Sequence, residues 1–581
     1  MTKLDELLLT VQKPGRYVGE EWNVVKKEWT ADRTKVCLAF PDVYEVGMSY
    51  LGIKILYGIL NGRDDCLCER VFSPWPDFEA VLRQNKMNVY SLESKRPLKE
   101  FDIIGFSLAY ELTYTNVLNL LDLGGIPIRS SERSDGDPLI IAGGPSSYNP
   151  EPMADFIDAF IIGDGEEVVG EIVEVYRGAR VKGQGSREKL LRELAKLPGV
   201  YVPSLYRVEY NSDRTVKSFE PAEDGMPPTI KKRVVKDLNT AFYPTRQLVP
   251  YIQIVHDRLA IEIMRGCKHA CKFCQAGTTY RPWRERSKDR VIELAKEAYR
   301  ETGYDEMSLL SLSSGDHSQI TQMLEELNAI FKEKGVSISV PSLRVEDVLS
   351  ALPILLAEVK KAGLTFAPEA GSDCLRKLIN KNIDINKLFE GAVESFKSGW
   401  RRVKLYFMIG LPTETEADLA GIAELCYKVS DLRRTVDGKN AFVAASINAL
   451  VPRPHTPFQW EAMETIEKLA SKQRLIRSKI HSKMIDLDFH SLEMSYAEAL
   501  FARGDRKLGV CIYEAWKEGA RFDGWKDFFN FGLWMKCFKG CGIDPDFYVT
   551  RSRDADEILP WDFIDIGLKK AALAKDIKPS V

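Results

Sequence analysis

Three cysteines lie close together in the segment MRGCKHACKFC, at Cys267, Cys271 and Cys274. Thiolates are soft ligands that suit iron–sulfur clusters and zinc. An iron–sulfur cubane usually takes four thiolates, so a compact set of three leaves one iron open to another ligand. Two alternatives stay open on spacing alone: a structural zinc site with a fourth ligand such as His269, and three thiols with no shared role. The spacing favours the open cluster.

The cysteine segment directly follows a predicted strand, the first of a series in the middle of the chain. The strand candidates are fairly evenly spaced: LAIEIM from Leu259, EMSLLSL from Glu306, VSISVP from Val336, LTFAPE from Leu364, RVKLYFMIG from Arg402 and AFVAASINAL from Ala441. These six units predict a partial (β/α)6 barrel of the TIM type. In such barrels, functional groups gather where strands end and loops begin.

The first two hundred residues alternate short apolar strands with helical patterns, which is typical of a parallel sheet built from βαβ units. The strand candidates are KVCLAFP from Lys35, FDIIGFSLA from Phe101, PLIIAGG from Pro138 and DAFIIG from Asp158. This pattern predicts an α/β, doubly wound, Rossmann-like domain. Ligands of such domains bind outside the carboxyl ends of the strands.

The rest of the chain is less regular. Residues 204–255 predict a small connector that contains strands, and the segment from Glu461 to Ile485 has a strongly amphipathic helical pattern. We therefore predict four units: a Rossmann-like domain at 1–203, a connector at 204–255, the partial barrel at 256–460 and a mostly helical C-terminal domain at 461–581.

Composition narrows the class of protein. The 581 residues include 81 basic and 84 acidic side chains, and a net charge of -3 does not indicate a nucleic-acid or polyanion binder. The sequence shows neither a signal peptide nor an apolar run of about 18 residues, which predicts a cytoplasmic protein without a membrane span. Eleven cysteines are too few for a disulfide scaffold in a chain of this length.

The C-x3-C-x2-C loop after the first strand of a partial barrel resembles the radical S-adenosylmethionine (radical SAM) superfamily. The resemblance implies that Cys267, Cys271 and Cys274 hold a [4Fe–4S] cluster whose fourth iron binds the amino and carboxylate groups of S-adenosylmethionine. Reductive cleavage then yields methionine and a 5'-deoxyadenosyl radical. The electron would come from a donor such as flavodoxin or ferredoxin.

Two further features near the cysteines resemble the family. Phe273 stands where the family usually has an aromatic residue before the last cysteine. Ser314, Gly315 and Asp316 follow the second strand, where the family has a glycine-rich turn that holds the methionine amine, although serines replace the first glycines here. An alternative is that Asp316 or Ser318 caps the helix that follows.

Three later strand ends, PSLRVE, PEAGSD and FMIGLPTET, resemble those of the methylthiotransferase and cobalamin-dependent branches. Ser342 and Arg344 would bind the methionine carboxylate, since arginine offers a planar fork of donors. Glu369 would accept hydrogen bonds from the ribose hydroxyls or the methionine amine. Gly410 and Pro412 would form a backbone wall near adenine. Each of these residues could instead have only a structural role, because glycine, proline and acidic caps are common in strand–helix turns.

The order of a doubly wound domain before the barrel is similar to that of cobalamin-dependent radical SAM enzymes. Asp42, Tyr44 and Gly47 match an Asp-x-His-x-x-Gly motif, with tyrosine at the position of the cobalt-binding histidine. Ser107, Gly143 and Gly144 resemble the pocket for the nucleotide tail of cobalamin. Three possibilities stay open: cobalamin bound without a histidine ligand, another ligand, or an empty structural domain.

The predicted function is reductive cleavage of S-adenosylmethionine to start radical chemistry, with cobalamin-dependent methylation of an unactivated carbon as one outcome. The alternatives are a cobalamin-independent radical modification of RNA or protein, and a regulatory protein that binds a cluster or corrinoid. The pair Cys537 and Cys541 is interpreted as ordinary thiols, and the basic run from Arg281 as a solvated loop and helix start. The substrate cannot be read from the sequence.

Overall fold

The N-terminal part of the chain folds around one six-stranded sheet. The structure is a computed structural model, and it describes residues 3–181, 186–341 and 364–575. The strands are β1 (Thr34–Phe40), β2 (Cys66–Phe72), β3 (Ile103–Ser107), β4 (Leu139–Gly143), β5 (Ala159–Ile161) and β6 (Val200–Tyr201). Their order is β2-β1-β3-β4-β5-β6, and all neighbours are parallel except β5 and β6. The first five strands have the flavodoxin-like order of doubly wound folds, which confirms the predicted fold class.

Strand β2 was not predicted, because its sequence CLCERVF carries two charges in a position that is fully buried. Arg70 is 0% exposed and pairs with Glu21 at 2.8 Å and with Glu93 at 2.7 Å. Charges this deep are tolerated only when they are paired and hydrogen-bonded. Both partners lie outside β2, so its local sequence could not reveal that the charge of Arg70 is neutralised.

The connector contains three strands, β7 (Tyr206–Tyr210), β8 (Val216–Pro221) and β9 (Ile230–Lys231). The first two form an antiparallel hairpin.

The middle of the chain forms two parallel sheets and a small hairpin. Its strands are β10 (Leu259–Glu262), β11 (Met264–Arg265), β12 (Arg284–Glu285), β13 (Glu306–Leu310), β14 (Ser337–Ser339), β15 (Leu364–Glu369), β16 (Arg402–Ile409) and β17 (Phe442–Ala449). The order β10-β13-β14 makes one sheet, and β11 pairs antiparallel with β12. All six predicted barrel strands are present.

A seventh parallel strand, β18 (Ile485–Phe489), extends the sheet β15-β16-β17-β18. It lies in the C-terminal domain, residues 461–581, that the sequence predicted to be mostly helical. The amphipathic pattern there corresponds to the helix Ile466–Lys479, which ends before the strand begins.

The helices of each part surround these sheets. In the N-terminal part they are Lys3–Leu8, Tyr44–Gly47, Leu51–Asn61, Pro76–Gln84, Tyr114–Leu123, Val168–Val181 and Arg187–Leu194. In the barrel part they are Gln275–Thr279, Lys288–Thr302, Ile320–Phe331, Asp373–Leu378, Ile385–Lys397, Glu416–Leu432 and Arg434–Asp437. The C-terminal helices are Ile466–Lys479, Leu492–Arg503, Leu508–Lys517, Phe531–Gly540, Asp546–Val549 and Lys570–Lys575. Within the described ranges, no helix is both long and apolar enough to cross a membrane.

The C-terminal part is mostly helical, as predicted, and it packs on the N-terminal part and the connector. Trp525 donates its indole N–H to Asp42 at 2.9 Å, and Thr115 donates to Asp523 at 2.7 Å. The last strand, β19 (Ile564–Asp565), pairs with β9 of the connector. Residues 565–568, at the end of this strand and after it, line a cavity together with Cys267.

Candidate functional site

The cysteine segment forms a loop, residues 266–274, which we call the cluster loop. It begins at Gly266, whose φ of 85° is rarely adopted by other residues. A Cβ atom there would lie 2.7 Å from the carbonyl oxygen of Tyr280. The far end is anchored by hydrogen bonds from Lys272 N to Ile379 O, at 3.0 Å, and from Asn380 Nδ2 to Ala270 O, at 2.9 Å. The loop is therefore fixed between the β11–β12 hairpin and the end of the helix Asp373–Leu378.

The three thiols of the cluster loop are all partly exposed. Burial raises the pKa of the Cys274 thiol, the nearby Cys267 raises it further, and the N–H of Gly277, 3.3 Å from Sγ, lowers it. Cys267 and Cys274 are thus close enough to interact electrostatically. A metal group that binds here must displace the thiol protons, because the thiolate is the ligand.

The zinc alternative needs a fourth ligand, and His269 is the residue that the sequence offered for it. His269 is engaged elsewhere, since its Nε2 lies 2.7 Å from Oδ2 of Asp316.

The turn that contains Ser314, Gly315 and Asp316 lies against the cluster loop. Besides the contact with His269, the backbone oxygen of Asp316 accepts a hydrogen bond from Lys268 Nζ at 2.8 Å. Ser314 is fully buried and lies 2.8 Å from the hydroxyl of Ser311. This turn therefore belongs to the same site as the cysteines.

The capping alternative for this turn is wrong. The next helix begins at Ile320, and its N-cap residue is Gln319, which makes no side-chain capping bond. Ser318 instead donates to Glu285. His317 is 3% exposed, and its Nε2 lies 2.8 Å from the backbone oxygen of Arg286.

Glu369 ends β15 close to Cys274. Its φ of 67° is unusual for a residue with a side chain, and such conformations cost about 1–3 kcal/mol and cluster at functional sites. Burial raises the pKa of the Glu369 carboxyl, while Lys381, 3.1 Å away, lowers it. Glu369 and Lys381 are both near enough to shift the pKa of Cys274, which Glu369 raises and Lys381 lowers. A strained, buried carboxylate therefore lies beside the cluster loop.

The end of β16 completes this side of the site. Gly410 has a φ of 83° and donates its N–H to Glu414 at 2.8 Å. Pro412 follows in the same partly exposed turn. Phe273 packs against an apolar cluster that contains Ala370 and Leu411. Phe273 thus contacts residues of two predicted strand-end motifs, PEAGSD and FMIGLPTET. The remaining candidates, Ser342 and Arg344, lie outside the described residues.

A cavity of about 500 Å³ lies between the N-terminal sheet and the barrel. Its lining includes Ser107, Gly143 and Gly144 at the carboxyl ends of β3 and β4, together with Arg265 from the barrel. His256 also lines it, and burial together with the charge of Arg258 lowers the pKa of this imidazole. Cavities of this size hold cofactors and small ligands.

The other three cobalamin candidates do not line this cavity. Tyr44 is 2% exposed and donates its hydroxyl to Glu21 at 2.9 Å, so it is not free to bind cobalt. A Cβ atom on Gly47 would lie 2.2 Å from the ring of Phe72. Asp42 accepts the hydrogen bond from the C-terminal tail described above. The Asp-x-Tyr-x-x-Gly segment therefore packs the core rather than the cavity.

Sequence reasoning missed a buried ion network on the cavity wall. Arg265 pairs with Asp164 at 3.1 Å, with Glu166 at 2.7 Å and with Glu262 at 2.9 Å. Arg284 pairs with Asp164 at 2.7 Å. The expectation of a solvated basic run was wrong, because Arg284 and Arg286 are 8% and 1% exposed. The sequence signal for this network is weak: its acidic residues, such as Asp164, and its basic residues, such as Arg265, lie far apart in the chain.

The C-terminal cysteines have a third neighbour that the sequence did not indicate. Burial raises the pKa of Cys511, and contact with Cys541 and the nearby Cys537 raises it further. All eleven cysteines are free of disulfides.

Comparison with known families agrees with this geometry. The family model described as the radical SAM superfamily matches residues 261–426, which include all three cysteines of the cluster loop. The chain belongs to the radical SAM superfamily. A second model, described as the N-terminal region of radical SAM proteins, matches residues 52–203. Both matched ranges of this radical SAM chain contribute residues to the lining of the 500 Å³ cavity.

Individual proteins are similar over most of the chain. An uncharacterized protein of Methanocaldococcus jannaschii is 28% identical over 474 residues, which are 81% of this radical SAM chain and 89% of that protein. The structure of TsrM, a radical S-adenosylmethionine methyltransferase from Kitasatospora setae with cobalamin and a [4Fe–4S] cluster bound, has a TM-score of 0.50 at 11% identity. The match covers 74% of each chain. The cobalamin-dependent radical enzyme OxsB has a TM-score of 0.47 at 12% identity, over 88% of this chain and 71% of that one. At such low identity the structural likeness concerns the fold.

Proposed function

We propose that this enzyme reductively cleaves S-adenosylmethionine at a [4Fe–4S] cluster held by Cys267, Cys271 and Cys274. The observation that carries the proposal is the meeting of the cluster loop with the Ser314–Asp316 turn, with Glu369 and with the end of β16. When bound, the reduced cluster supplies the electron that divides S-adenosylmethionine into methionine and a 5'-deoxyadenosyl radical.

The chain's own residues have distinct tasks in this proposal. The Ser314–Asp316 turn lies against the cluster loop, where it can accept hydrogen bonds from the methionine amine. Lys381 engages one oxygen of Glu369, and the other oxygen can accept from the amine or a ribose hydroxyl. Gly410 and Pro412 form the backbone wall proposed to lie beside adenine. Ser342 and Arg344 keep their proposed role toward the methionine carboxylate.

The test is anaerobic reconstitution with iron and sulfide, reduction in the presence of S-adenosylmethionine, and chromatography for 5'-deoxyadenosine. We expect product from the intact protein and none when Cys267, Cys271 and Cys274 are all replaced by alanine. The matched control is Cys374→Ala, an exposed cysteine of the barrel part that should leave cleavage unchanged. A cluster that forms without cleavage would instead support a regulatory protein that binds a cluster.

We further propose that the 500 Å³ cavity binds the nucleotide tail of cobalamin, so that the enzyme methylates an unactivated carbon of an unidentified substrate. The glycines at the ends of β3 and β4 allow a ligand to approach the backbone closely. Arg265 lines the cavity and directly precedes the cluster loop, so a cofactor there would adjoin the radical site. The TsrM structure, which is similar in fold, contains both cofactors. Tyr44 is excluded as a cobalt ligand in this proposal.

Cobalamin binding can be separated from radical formation by filling the cavity. The variant Ser107→Trp is expected to lose hydroxocobalamin, measured by absorbance after gel filtration, while it still cleaves S-adenosylmethionine. Val510→Trp, at an exposed position of the C-terminal part, is the control for the added bulk. If the wild type retains no cobalamin, the alternative is a cobalamin-independent radical modification of RNA or protein.

In this proposal residues 1–203 form the corrinoid-binding unit, 256–460 the radical unit, 204–255 their connector, and 461–581 a helical unit that shapes the substrate site. The electron donor is a cytoplasmic flavodoxin or ferredoxin.

A further inference from the structure

A second cavity, of about 440 Å³, adjoins the cluster loop on a different side from the strand-end motifs. Cys267 lines it directly. Around the cysteine stand four cationic side chains from three segments of the chain. They are Lys231, Lys232, Lys268 and Arg281, and we call this site the basic pocket. Among the described residues that line it, Asp565 is the one acid.

Two cations of the basic pocket, Lys232 and Lys268, are bonded to neutral groups. Lys232 Nζ donates to the carbonyl oxygens of Thr279, at 2.8 Å, and Arg281, at 2.6 Å. Lys268 Nζ donates to a backbone oxygen and lies 4.0 Å from the centre of the Trp283 ring. Carbonyl groups and rings orient a cation without cancelling its charge. The positive charge of the pocket therefore remains available to an anionic partner.

Burial also changes the acidity of Lys232. Burial lowers the pKa of this ammonium group to about 8, although Asp164 raises it. A negatively charged partner would stabilise the protonated form. An anion bound in the pocket would therefore form an ion pair with Lys232 and raise the pKa of its ammonium group.

The position of the pocket decides which partner fits it. A substrate must approach the side of the site where the Ser314–Asp316 turn, Glu369 and Gly410 lie, and none of these residues lines the basic pocket. A protein that delivers an electron must instead approach the cluster itself, and here Cys267 forms part of the wall. A partner seated in this pocket would contact the cluster loop without blocking the substrate side.

We propose that the basic pocket is the docking site for an acidic electron-donor protein. This inference rests on the proposed function and specifies where its reductant binds. One electron passes from the reduced donor to the oxidised [4Fe–4S] cluster, which leaves the donor oxidised by one electron, and no bond forms or breaks. Acidic side chains of the donor pair with Lys231 and Lys268, the two exposed cations at the rim.

The test compares two reductants of the reconstituted full-length protein in stopped-flow experiments. Reduced flavodoxin and dithionite are mixed separately with the protein, and bleaching of the cluster absorbance is followed. The variant Lys231→Glu is expected to slow reduction by flavodoxin about tenfold at low ionic strength, since complementary charge accelerates association by that order or more. The difference should shrink as salt is added.

Lys483→Glu provides the matched control. This exposed lysine precedes β18, at the amino-terminal end of the barrel strands and away from the cluster loop. We expect it to leave both rates unchanged, and we expect dithionite to reduce all variants at the wild-type rate. An unchanged flavodoxin rate in Lys231→Glu, or an equal loss with dithionite, would overturn the docking proposal. A wild type that forms no reducible cluster would overturn the proposed function as well, so the two failures are distinguishable.

Discussion

Two cations on either side of Cys267 have opposite surroundings. Arg265 forms ion pairs with three carboxylates. Two of them come from the N-terminal part and one from the barrel. Lys268, three residues later, contacts a carbonyl oxygen and the ring of Trp283. A cation that is fully paired inside the protein can only hold its partners together, whereas one with neutral contacts can still receive a charge from outside. Within one short segment, Arg265 therefore holds the N-terminal part and the barrel together, while Lys268 keeps a charge that an acidic partner can bind.

The largest expected effect comes from breaking the paired side. The variant Arg265→Ala leaves carboxylates at the interface without their main partner, and we expect the free energy of unfolding to fall by about 3–5 kcal/mol. Urea denaturation of the purified protein measures the change. Arg258→Ala is the control, because its pair with Glu306 at 2.9 Å is about a quarter exposed and should be worth less than about 1 kcal/mol. Similar losses of unfolding free energy in Arg265→Ala and Arg258→Ala would show that the buried pairs of Arg265 stabilise the fold no more than an exposed pair does.

A smaller effect is expected from titrating the same network. Burial raises the pKa of Asp164, but Arg265 and Arg284 outweigh it, so the pKa of this carboxyl is lower than usual. A lowered pKa in the folded state adds stability above the unfolded value of about 3.9, and that stability is lost as the pH falls through the folded value.

We therefore expect Asp164→Asn to be less stable than the wild type at pH 7, with a difference that narrows below about pH 4. Urea midpoints between pH 3 and pH 7 test this. A difference that stays constant over this range would mean that the charge of Asp164 contributes nothing to stability.

The smallest effect should follow from changing the unpaired side. Lys268→Gln removes a charge that no carboxylate of the described residues compensates, and we expect the free energy of unfolding to change by no more than about 0.5 kcal/mol. The same urea experiment measures it beside Arg265→Ala. A loss comparable to that of Arg265→Ala would show that Lys268 also stabilises the fold. The contrast between the two cations would then be wrong.

Sequence reasoning found the parts whose signal is local. The six barrel strands are apolar runs, and the three cysteines are neighbours in the chain, so both were predictable. Strand β2 was missed because Arg70 is neutralised by Glu21 and Glu93 from other segments. The same limit explains the Arg284 error, because burial of a charge depends on a partner more than a hundred residues away.

The cobalamin motif shows the converse limit. Asp42, Tyr44 and Gly47 have the spacing of a ligand-binding segment, but spacing does not say which way a side chain points. The hydroxyl of Tyr44 is taken by Glu21, and the ring of Phe72 fills the space beside Gly47. Ser107, Gly143 and Gly144 were placed correctly at the cavity because the ends of parallel strands meet at one edge of a sheet.

The pairing of β19 with β9 has a consequence for the order in which the protein is assembled. Residues 565–568, which follow from this strand, form one wall of the basic pocket. They leave the ribosome about 300 residues after Cys267. Until they are made, the cavity beside Cys267 lacks this wall. The site proposed to receive an electron donor is therefore complete only after the end of the chain has paired with β9.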